Sequence, residues 1–535
     1  MKIVPKTNRR LFLGTLALFG VLGGARAADE VVLHNQIVRP GTTTQMVVGV
    51  NLEQEYVSFQ MDLVLPEGLS VPANSEGLPD VQLMDGWATD HVFDCSYLSA
   101  NVVRVACFTF TNAALASSSG PLLHVKLAAA SDFAGGATLS LENVRFATSK
   151  AKETKCETVA AKVITVPQKS LQLQLANNWN WVSQNTENTR DLSVFISPVS
   201  ELLQRLLSDT QELVRDSKYG VVGNLTGLEP QKGYRMQLSA EQDYASPEGA
   251  WCFSDDYPLT LHKGWNWIGY LPFSAMTVTD AMANLKASEN DRIVGQEKFA
   301  DYKDGQWTGT LTVMKPGTAY QYKSGADVTF CYPTSYPAVE PVAESRLKTA
   351  APWSCDAHLY ADVMTMIVQT DIVDSEGMPL LVAAFCGDEC RGISQAVQNM
   401  QFLTVHGTVA AGETIHFVAY DAETGSQYLM DGQMVFDGGA YGQISEPLML
   451  HVATDVATAI KGLVKPVVSM SVSGNRLYLS GQIAAVSLFS ANGMILRRLD
   501  AVPQNGVDLS SYPSGVYAVA LTMTDGSTIV RKFLR

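Results

Sequence analysis

Positive charge is scarce in this chain of 535 residues. It carries 38 lysines and arginines against 53 aspartates and glutamates, so its formal net charge is −15 at pH 7. A nucleic-acid-binding protein needs a cationic surface to meet the phosphates. The charge balance therefore argues against a nucleic-acid partner.

Long apolar runs are also lacking, apart from one near the N-terminus. Basic residues, including Arg9 and Arg10, precede an apolar run over residues 11–22, and Ala-Arg-Ala follows at residues 25–27. This order is typical of a secretory signal peptide, and the run is too short to cross a membrane as a permanent helix. We therefore predict a signal peptide over residues 1–27, secretion of the mature chain and no transmembrane segment.

Familiar catalytic and metal-binding motifs do not occur. The sequence has no H-E-x-x-H, P-loop, G-x-S-x-G or EF-hand pattern, and its eight histidines are scattered singly. We therefore predict a protein that is not an enzyme, with no catalytic residues, no metal and no cofactor. A glycosidase needs only two carboxylates across a cleft, which one sequence does not reveal, so a cryptic glycan-degrading enzyme is an alternative.

Eight cysteines in a chain with an export signal favour disulfides over metal or redox chemistry. Cys95 and Cys107 flank a predicted hairpin, and we predict that they pair. Cys386 and Cys390 form a C-x3-C pattern that could supply half of a metal site. No second pair at zinc spacing follows, so a disulfide is favoured there, with Cys355 as an alternative partner for either.

Alternation of apolar and polar residues dominates the first 140 residues of the mature chain. It is nearly complete over residues 57–65, which is typical of a half-buried strand. Further strands are predicted over residues 42–51, 102–109, 122–127 and 138–146. Many short strands joined by Gly- and Ser-rich turns, without helices, predict a β-sandwich over residues 28–166.

The order of these features resembles the superfamily of cohesin-like and carbohydrate-binding modules. Residues 57–69 follow the pattern V-x-F-Q-x-x-L-x-L-P-x-G-L, residues 120–127 read GPLLHVKL and residues 139–146 read LSLENVRF. The resemblance implies binding of a dockerin module or a polysaccharide rather than turnover. Trp87, in the long middle excursion of this domain, is our candidate for an exposed ligand-binding aromatic residue.

An internal repeat follows the first domain. Residues 173–182 read LQLANNWNWV, and residues 259–268 read LTLHKGWNWI, so Trp265 follows Trp179 after 265 − 179 = 86 residues. This period predicts two copies of one small α+β module, over residues 168–257 and 258–335. Similar tandem modules occur in large surface proteins of Bacteroidetes.

Helical spacing of apolar residues predicts a helix over residues 199–214 in the first copy. In the second copy Thr279 is the predicted N-cap of a helix that runs through Leu285. We interpret the two Trp-Asn-Trp triplets as core residues rather than a sugar-stacking platform, because tryptophan is usually buried.

The C-terminal half is again rich in strand signals. We predict a linker over residues 336–351 and a β-sandwich module over residues 352–457, with strands at 380–385, 401–405 and 414–420. Segments of this module resemble one that is common beside type IX sorting domains.

The last segment, residues 466–535, has an ordered series of strand and turn motifs. Asn492-Gly493 favours a tight hairpin, strands are predicted at 516–521 and 529–534, and Asp525-Gly526 is a turn between them. The series resembles the C-terminal sorting (Por) domain of proteins exported by the type IX secretion system of Bacteroidetes. The resemblance implies an immunoglobulin-like β-sandwich that the secretion machinery reads as an export address.

Together these patterns predict a mainly β, multidomain string of β-sandwiches with two small α+β modules in the middle. We expect a non-catalytic binding protein at the cell surface, associated with the outer membrane, whose cohesin-like domain binds a polysaccharide or a protein partner. A structural adhesin or matrix component is an alternative.

Overall fold

The computed structural model describes residues 29–337, 339, 351–453, 469–473, 475–480, 483–490, 494–503, 506–513, 515–523 and 528–535. The predicted signal peptide, most of the predicted linker and the predicted turns at Asn492-Gly493 and Asp525-Gly526 lie outside these residues. The described chain is mainly β, as predicted. It divides into two compact units: unit 1 consists mainly of residues up to 337 and unit 2 mainly of residues from 351. None of the helices in the described residues has the length and hydropathy to span a membrane.

Unit 1 begins with a sandwich of two sheets. One sheet has the order β1-β3-β9-β5 with β6 also on β9, and the other contains β2-β12-β10-β4-β8-β7 with β11 on β10. The strands are β1 Glu30–Leu33, β2 Asn35–Val38, β3 Thr43–Asn51, β4 Ser58–Val64, β5 Leu69–Ser70, β6 Val81–Leu83, β7 Val92–Ser99, β8 Val102–Phe108, β9 Ser119–Ala129, β10 Ala137–Ala147, β11 Glu153–Lys155 and β12 Val159–Thr165.

The alternation seen in the sequence builds the core of this sandwich. In β3 every second residue, including Met46, Val48 and Val50, is buried, and Phe59, Met61 and Leu63 of β4 face the same core. Each sheet therefore buries one face and presents the other outward.

The two repeats share one strand order. The first repeat forms a sheet β15-β19-β16-β17-β18 and the second forms β23-β29-β25-β26-β27. Short pairs flank each sheet. The strands are β13 Gln168–Lys169, β14 Gln172–Leu175, β15 Asn178–Val182, β16 Leu203–Leu207, β17 Glu212–Asp216, β18 Gly220–Gly223, β19 Tyr234–Leu238, β20 Gln242–Ala245, β21 Gly249–Ala250, β22 Leu259–Leu261, β23 Gly264–Gly269, β24 Met276–Thr277, β25 Arg292–Val294, β26 Phe299–Lys303, β27 Gln306–Gly309, β28 Val313–Met314, β29 Ala319–Ser324, β30 Val328–Phe330 and β31 Ser335–Tyr336.

The helices predicted in the repeats are wrong in place and extent. The α-helices are α1 Leu192–Ile196 and α2 Val278–Ala281, and 3-10 turns occupy Glu187–Arg190, Ser197–Val199, Ser254–Asp256, Ala357–Leu359 and Val409–Ala411. Strands β16 and β17 replace the helix predicted over residues 199–214. A bulge between Leu203 and Arg205 lets Leu203 and Leu206 face one core although they are three residues apart, which imitates helical spacing. In the second repeat Thr277, not Thr279, is the N-cap, and its hydroxyl accepts from the Asp280 amide.

The asparagine of each Trp-Asn-Trp triplet closes the turn before its strand. The Asn180 carboxamide accepts from the Ala176 amide at 2.8 Å and donates to the Ala176 carbonyl at 2.9 Å. Asn266 makes the equivalent bonds to His262 at 2.9 and 2.7 Å. The middle residue of the motif is therefore a backbone mimic that holds the start of β15 and of β23.

The two repeats pack against each other with approximate two-fold symmetry. The Ser183 amide donates to the Gly317 carbonyl at 2.8 Å, and the Gly269 amide donates to the Gln231 carbonyl at 2.9 Å. These bonds are equivalent, because 183 + 86 = 269 and 231 + 86 = 317. A Cβ on Gly269 would overlap the Pro230 carbonyl, so this approach requires glycine.

The second tryptophans of the two triplets meet at this interface. The rings of Trp181 and Trp267 lie 4.6 Å apart between centroids in an edge-to-face arrangement. Trp179 and Trp181 are buried and Trp267 is half-buried, which confirms the interpretation as core residues for these three. The interpretation is wrong for Trp265, which is 40% exposed.

The second repeat is joined directly to the first sandwich. Strand β31 pairs antiparallel with β2, with Asn35 opposite Tyr336, and adds to the edge of the second sheet. Nearby, the buried Thr44 hydroxyl lies 2.7 Å from the Thr334 hydroxyl of the second repeat and donates to the Asp255 carboxylate, at the end of the first repeat, at 2.8 Å. The first sandwich and the two repeats of the predicted string therefore pack together within unit 1.

Unit 2 contains a module of two sheets, β35-β36-β32-β39 with β40 on β32, and β34-β33-β37-β38. Its core includes Met364, Val382, Leu403 and Phe417. The strands are β32 Asp362–Thr370, β33 Leu381–Cys386, β34 Glu389–Ile393, β35 Gln395–Val397, β36 Met400–Gly407, β37 Thr414–Tyr420, β38 Gln427–Val435, β39 Ala440–Tyr441 and β40 Leu448–Leu450.

The C-terminal segment folds as strands in two further sheets, β41-β42-β45 and β44-β43-β46-β47. Leu488, Val519 and Leu521 lie in the core of this segment. The strands are β41 Ser469–Ser473, β42 Arg476–Ser480, β43 Ile483–Ser490, β44 Ile495–Leu499, β45 Val507–Asp508, β46 Val516–Met523 and β47 Thr528–Leu534.

We predict unequal effects for the two tryptophans of the repeat motif. Replacing Trp181 with alanine removes a buried indole and its Trp267 contact, so we expect a loss of about 3–5 kcal/mol in the free energy of unfolding of unit 1. Trp265→Ala, at a half-solvated position, should cost less than about 1 kcal/mol. Urea unfolding followed by hydrogen exchange in β15 and β23 measures both. Equal losses would contradict the packing described here.

We also predict that acid weakens the contact between the first sandwich and the second repeat. Burial lowers the pKa of His124, a β9 residue that hydrogen-bonds to the backbone of Ala283 in the second repeat. Below the ordinary histidine pKa of 6.5 the unfolded chain binds a proton at this residue, whereas the folded chain resists protonation. Burial of the neutral imidazole therefore stabilises the folded protein above pH 6.5, and this contribution is lost as the pH falls below 6.5.

Thermal unfolding at pH 7.5 and pH 5.0 tests the assignment. His124→Gln should reduce the loss of stability on acidification, whereas His262→Gln, at an exposed histidine of the second repeat, should leave it unchanged. An unchanged pH dependence in His124→Gln would refute this role for His124.

Candidate partner-binding surface

Strand β7 ends the second sheet of the first sandwich. In the sheet order it is hydrogen-bonded to β8 on one side, and no strand of the described chain pairs with its other side. The opposite edge of the same sheet is extended by β31 from the second repeat. The eight-residue strand β7 is therefore an open edge with unused backbone donors and acceptors.

Exposed apolar side chains lie at both ends of this edge. We call Val92, Tyr97, Leu98, Phe108 and Phe110 the β7 edge surface. All five are exposed; Leu98 is 50% exposed and Phe110 is 86% exposed. Single exposed apolar residues are ordinary, but a group of them beside an unpaired strand needs an explanation.

One end of the β7 edge surface is built around two phenylalanines. Val92 lies directly opposite Phe108 in the strand register, and the rings of Phe108 and Phe110 meet edge to face at 5.6 Å. The Thr111 hydroxyl donates to the Asp90 carboxylate and ties the loop that carries Phe110 to the start of β7. Phe110 is thus held in an exposed position rather than left on a free loop.

At the other end of the β7 edge surface, a β-bulge exposes the side chains. The register between β7 and β8 shifts between Tyr97 and Ser99, so Tyr97 and Leu98 are both exposed although they are adjacent. The Tyr97 hydroxyl donates to the Val71 carbonyl at 3.1 Å, which fixes the ring against the rim of the sandwich.

A charged cluster lies beside this edge on the outer face of the sheet. The buried Asp62 carboxylate accepts from Arg104 at 2.7 and 2.8 Å and from Asn143 at 2.7 Å. The Arg104 hydrogen bonds hold the pKa of Asp62 below its usual value, against the effect of burial. The buried Asp62 carboxylate holds the Arg104 guanidinium in place. This half-exposed guanidinium is therefore an ordered polar group next to the apolar edge.

Trp87 is not an exposed aromatic residue. It is 4% exposed and packs in the core of the sandwich, and its indole Nε1 donates to the Pro121 carbonyl at 2.6 Å. The prediction of an exposed ligand-binding aromatic residue there is wrong, because the loop folds its indole inward and satisfies the N–H on β9. Phe108 and Phe110 were the better candidates, since they are out of phase with the buried Val103, Val105 and Cys107.

The predicted Cys95–Cys107 disulfide is not formed in the structure. Cys95 lies opposite Val105 and Cys107 lies opposite Phe93, so the two cysteines are diagonal neighbours. Diagonal positions lie about 7–8 Å apart, beyond the 4.4–6.8 Å range between Cα atoms of a typical disulfide.

The C-x3-C pair in unit 2 is not bridged either. Cys386 packs toward the core between the two sheets, whereas Cys390 packs with Phe385 and Val418 in a separate cluster. Cys386 and Cys390 thus belong to different clusters on the two sides of the β33–β34 hairpin, so their side chains do not meet. Among the described residues no three His, Cys, Asp or Glu side chains come together as a metal site.

No protein-family model matches this chain, and no curated protein matches it. Solved structures similar to part of it include several cohesin modules. A cohesin module of a family 33 glycoside hydrolase from Clostridium perfringens is 12% identical, with a TM-score of 0.21, over 26% of this chain and 96% of its own.

A non-cellulosomal cohesin from the archaeon Archaeoglobus fulgidus is 17% identical, with a TM-score of 0.21, over 26% of this chain and 93% of its own. A type I cohesin–dockerin complex from Clostridium thermocellum matches at 12% identity, with a TM-score of 0.22, over 26% of this chain and 100% of the other.

Proposed function

We propose that this chain is an exported, non-catalytic binding protein whose first β-sandwich binds a protein partner at the β7 edge surface. The observation that carries the proposal is the group of exposed apolar side chains along an open strand edge. Soluble proteins avoid such edges or cover them, because they invite pairing with another chain. A partner that covers the edge removes this liability.

The edge favours a partner that supplies an extended segment. A strand added beside β7 would use its unpaired N–H and C=O groups, and alternate side chains of that segment would contact Val92 and Phe110. Phe108 and Leu98 present hydrocarbon rather than directed hydroxyl or amide groups, so this surface suits a protein better than a polysaccharide.

The rest of unit 1 supports this role by closing the other edge. Strand β31 occupies the β2 side of the sheet, and the second repeat stands against the outer face of the first sheet. The repeats thus act as a rigid base that leaves the β7 edge surface accessible.

Delivery to the cell surface is the second part of the proposal. Its support is the signal peptide pattern over residues 1–27 and the resemblance of residues 466–535 to type IX sorting domains. The type IX machinery would recognise the C-terminal sandwich, and outer membrane attachment would follow export.

We predict that a photo-crosslinking amino acid at position 110 captures a partner on intact cells of the source organism. A discrete crosslinked species containing a second, different protein is expected from position 110. Position 219 is the matched control, because Tyr219 is 69% exposed on the first repeat. Adding Leu98→Lys should reduce the crosslink from position 110 about tenfold, which corresponds to about 1.4 kcal/mol. Equal products from both positions, or a product containing only this chain, would overturn the assignment.

We predict that removal of residues 466–535 retains the protein inside the outer membrane. Cell fractionation with protease accessibility measures this, and the same segment fused to a folded reporter should bring the reporter to the surface. Surface display of the truncated protein at the normal level would show that this segment is not the export address.

A further inference from the structure

A groove separates the first sandwich from the second repeat within unit 1. It consists of two adjoining cavities of about 280 and 260 Å³. Trp307 lines both cavities, as do Ser119, Pro121, Thr279, Ala283 and Gly305. We call the two cavities together the inter-module groove.

One wall is the outer face of the sheet formed by β1, β3 and β9. Because Met46, Val48 and Val50 face the core, the alternate residues Val47, Gly49 and Asn51 line the groove. Gly49 has no side chain, so the sheet surface is recessed at this point.

The opposite wall comes from the second repeat. Helix α2 supplies Thr279 and Asp280, and the turn at Asp304–Gly305 and strand β27 supply Gln306 and Trp307. Trp307 is held by neighbouring rings, with Tyr302 at 5.2 Å and Tyr322 at 6.0 Å between centroids. Its half-exposed indole is therefore fixed before any ligand arrives.

Direct contacts set the width of the groove. The Gln306 amide donates to the Ser119 hydroxyl at 3.0 Å across the two walls, and His34 of the sandwich lies 3.6 Å from Asp280 of the repeat. The pairing of β31 with β2 and the contact between the Thr44 and Thr334 hydroxyls anchor the same two bodies. The groove is thus a fixed feature of unit 1.

The lining is polar, and its carboxylate and imidazole side chains are His34, Asp85, Asp280 and Asp304. No lysine or arginine lines either cavity in the described structure. The Asp280 carboxylate already accepts from the Thr277 hydroxyl at 2.7 Å, and Asp85 is paired with Lys286 at 2.8 Å. An anionic ligand would meet carboxylates without a lysine or arginine, and a cationic ligand would compete with the partners that Asp280 and Asp85 already have.

The remaining groups suit a ligand rich in hydroxyls. Side chains of Asn51, Ser119, Thr279 and Gln306 offer hydrogen bonds of both senses beside the Trp307 ring. A sugar ring has an apolar face and hydroxyls at its rim. It can therefore pack against an indole and hydrogen-bond to these polar side chains at the same time.

We propose that the inter-module groove binds two consecutive units of a neutral polysaccharide, one in each cavity, with Trp307 between them. This site is separate from the β7 edge surface and does not depend on the protein partner proposed there. The protein would then hold a glycan at one face of its first sandwich and a protein at the far edge.

The test uses the mature full-length protein and purified neutral oligosaccharides of two to six units, drawn from glucans, mannans, xylans and galactans. Binding is screened on an array and measured by titration calorimetry. We expect at least one neutral oligosaccharide to bind, and binding to improve from one unit to two and then level off.

Three variants place the ligand in the groove. Val47→Trp fills the first cavity from a strand position, and Trp307→Ala removes the shared ring; each should weaken binding at least tenfold. Since Trp307→Ala also loosens contacts with Tyr302 and Tyr322, Asn51→Ala at the exposed end of β3 provides a milder change, expected to weaken binding several-fold.

Matched controls separate this site from the others. Trp265→Ala removes an exposed tryptophan elsewhere in the same repeat, and Phe110→Asp disrupts the β7 edge surface; both should leave glycan affinity unchanged. The proposal is overturned if no neutral oligosaccharide binds, if acidic glycans or basic peptides bind in their place, or if Val47→Trp binds as tightly as the unaltered protein.

Discussion

The pairing of β31 with β2 is the contact on which the organisation of unit 1 depends. It joins residues 335–336, at the end of the second repeat, to residues 35–36, near the start of the first sandwich. The pairing closes one edge of the sheet and leaves β7 as the other. It also fixes the second repeat against the outer face of the first sheet, which creates the inter-module groove.

The repeats extend this rigidity through approximate two-fold symmetry. Two equivalent backbone hydrogen bonds and the Trp181–Trp267 contact bring the two copies together as if they were subunits of a dimer. In this arrangement the three residues of the motif have different roles. The asparagine holds the strand start, the second tryptophan packs at the interface, and the first lies buried in one copy and exposed in the other.

The sequence allowed most strands to be predicted, because alternation over runs such as residues 57–65 reports directly on a half-buried sheet. The prediction of a helix over residues 199–214 was wrong, because a bulge gave two buried leucines a three-residue spacing. The prediction at Trp87 was also wrong, because composition does not show which way a loop side chain turns. Phe108 and Phe110 are out of phase with the buried Val103, Val105 and Cys107. The sequence therefore does contain a signal for an exposed surface at this strand. The β31–β2 pairing and the groove could not be predicted, since they join segments about 300 residues apart and leave no local pattern.

Amide hydrogen exchange in the intact mature protein tests the asymmetry of the sheet most directly. The Ile37 amide of β2 donates to the Thr334 carbonyl at 2.8 Å, so it should exchange slowly. The outward-pointing amides of β7 should exchange rapidly, because no strand covers them. Rapid exchange at Ile37, or protection of every amide in β7 in the protein alone, would contradict a sheet that is closed at one edge and open at the other.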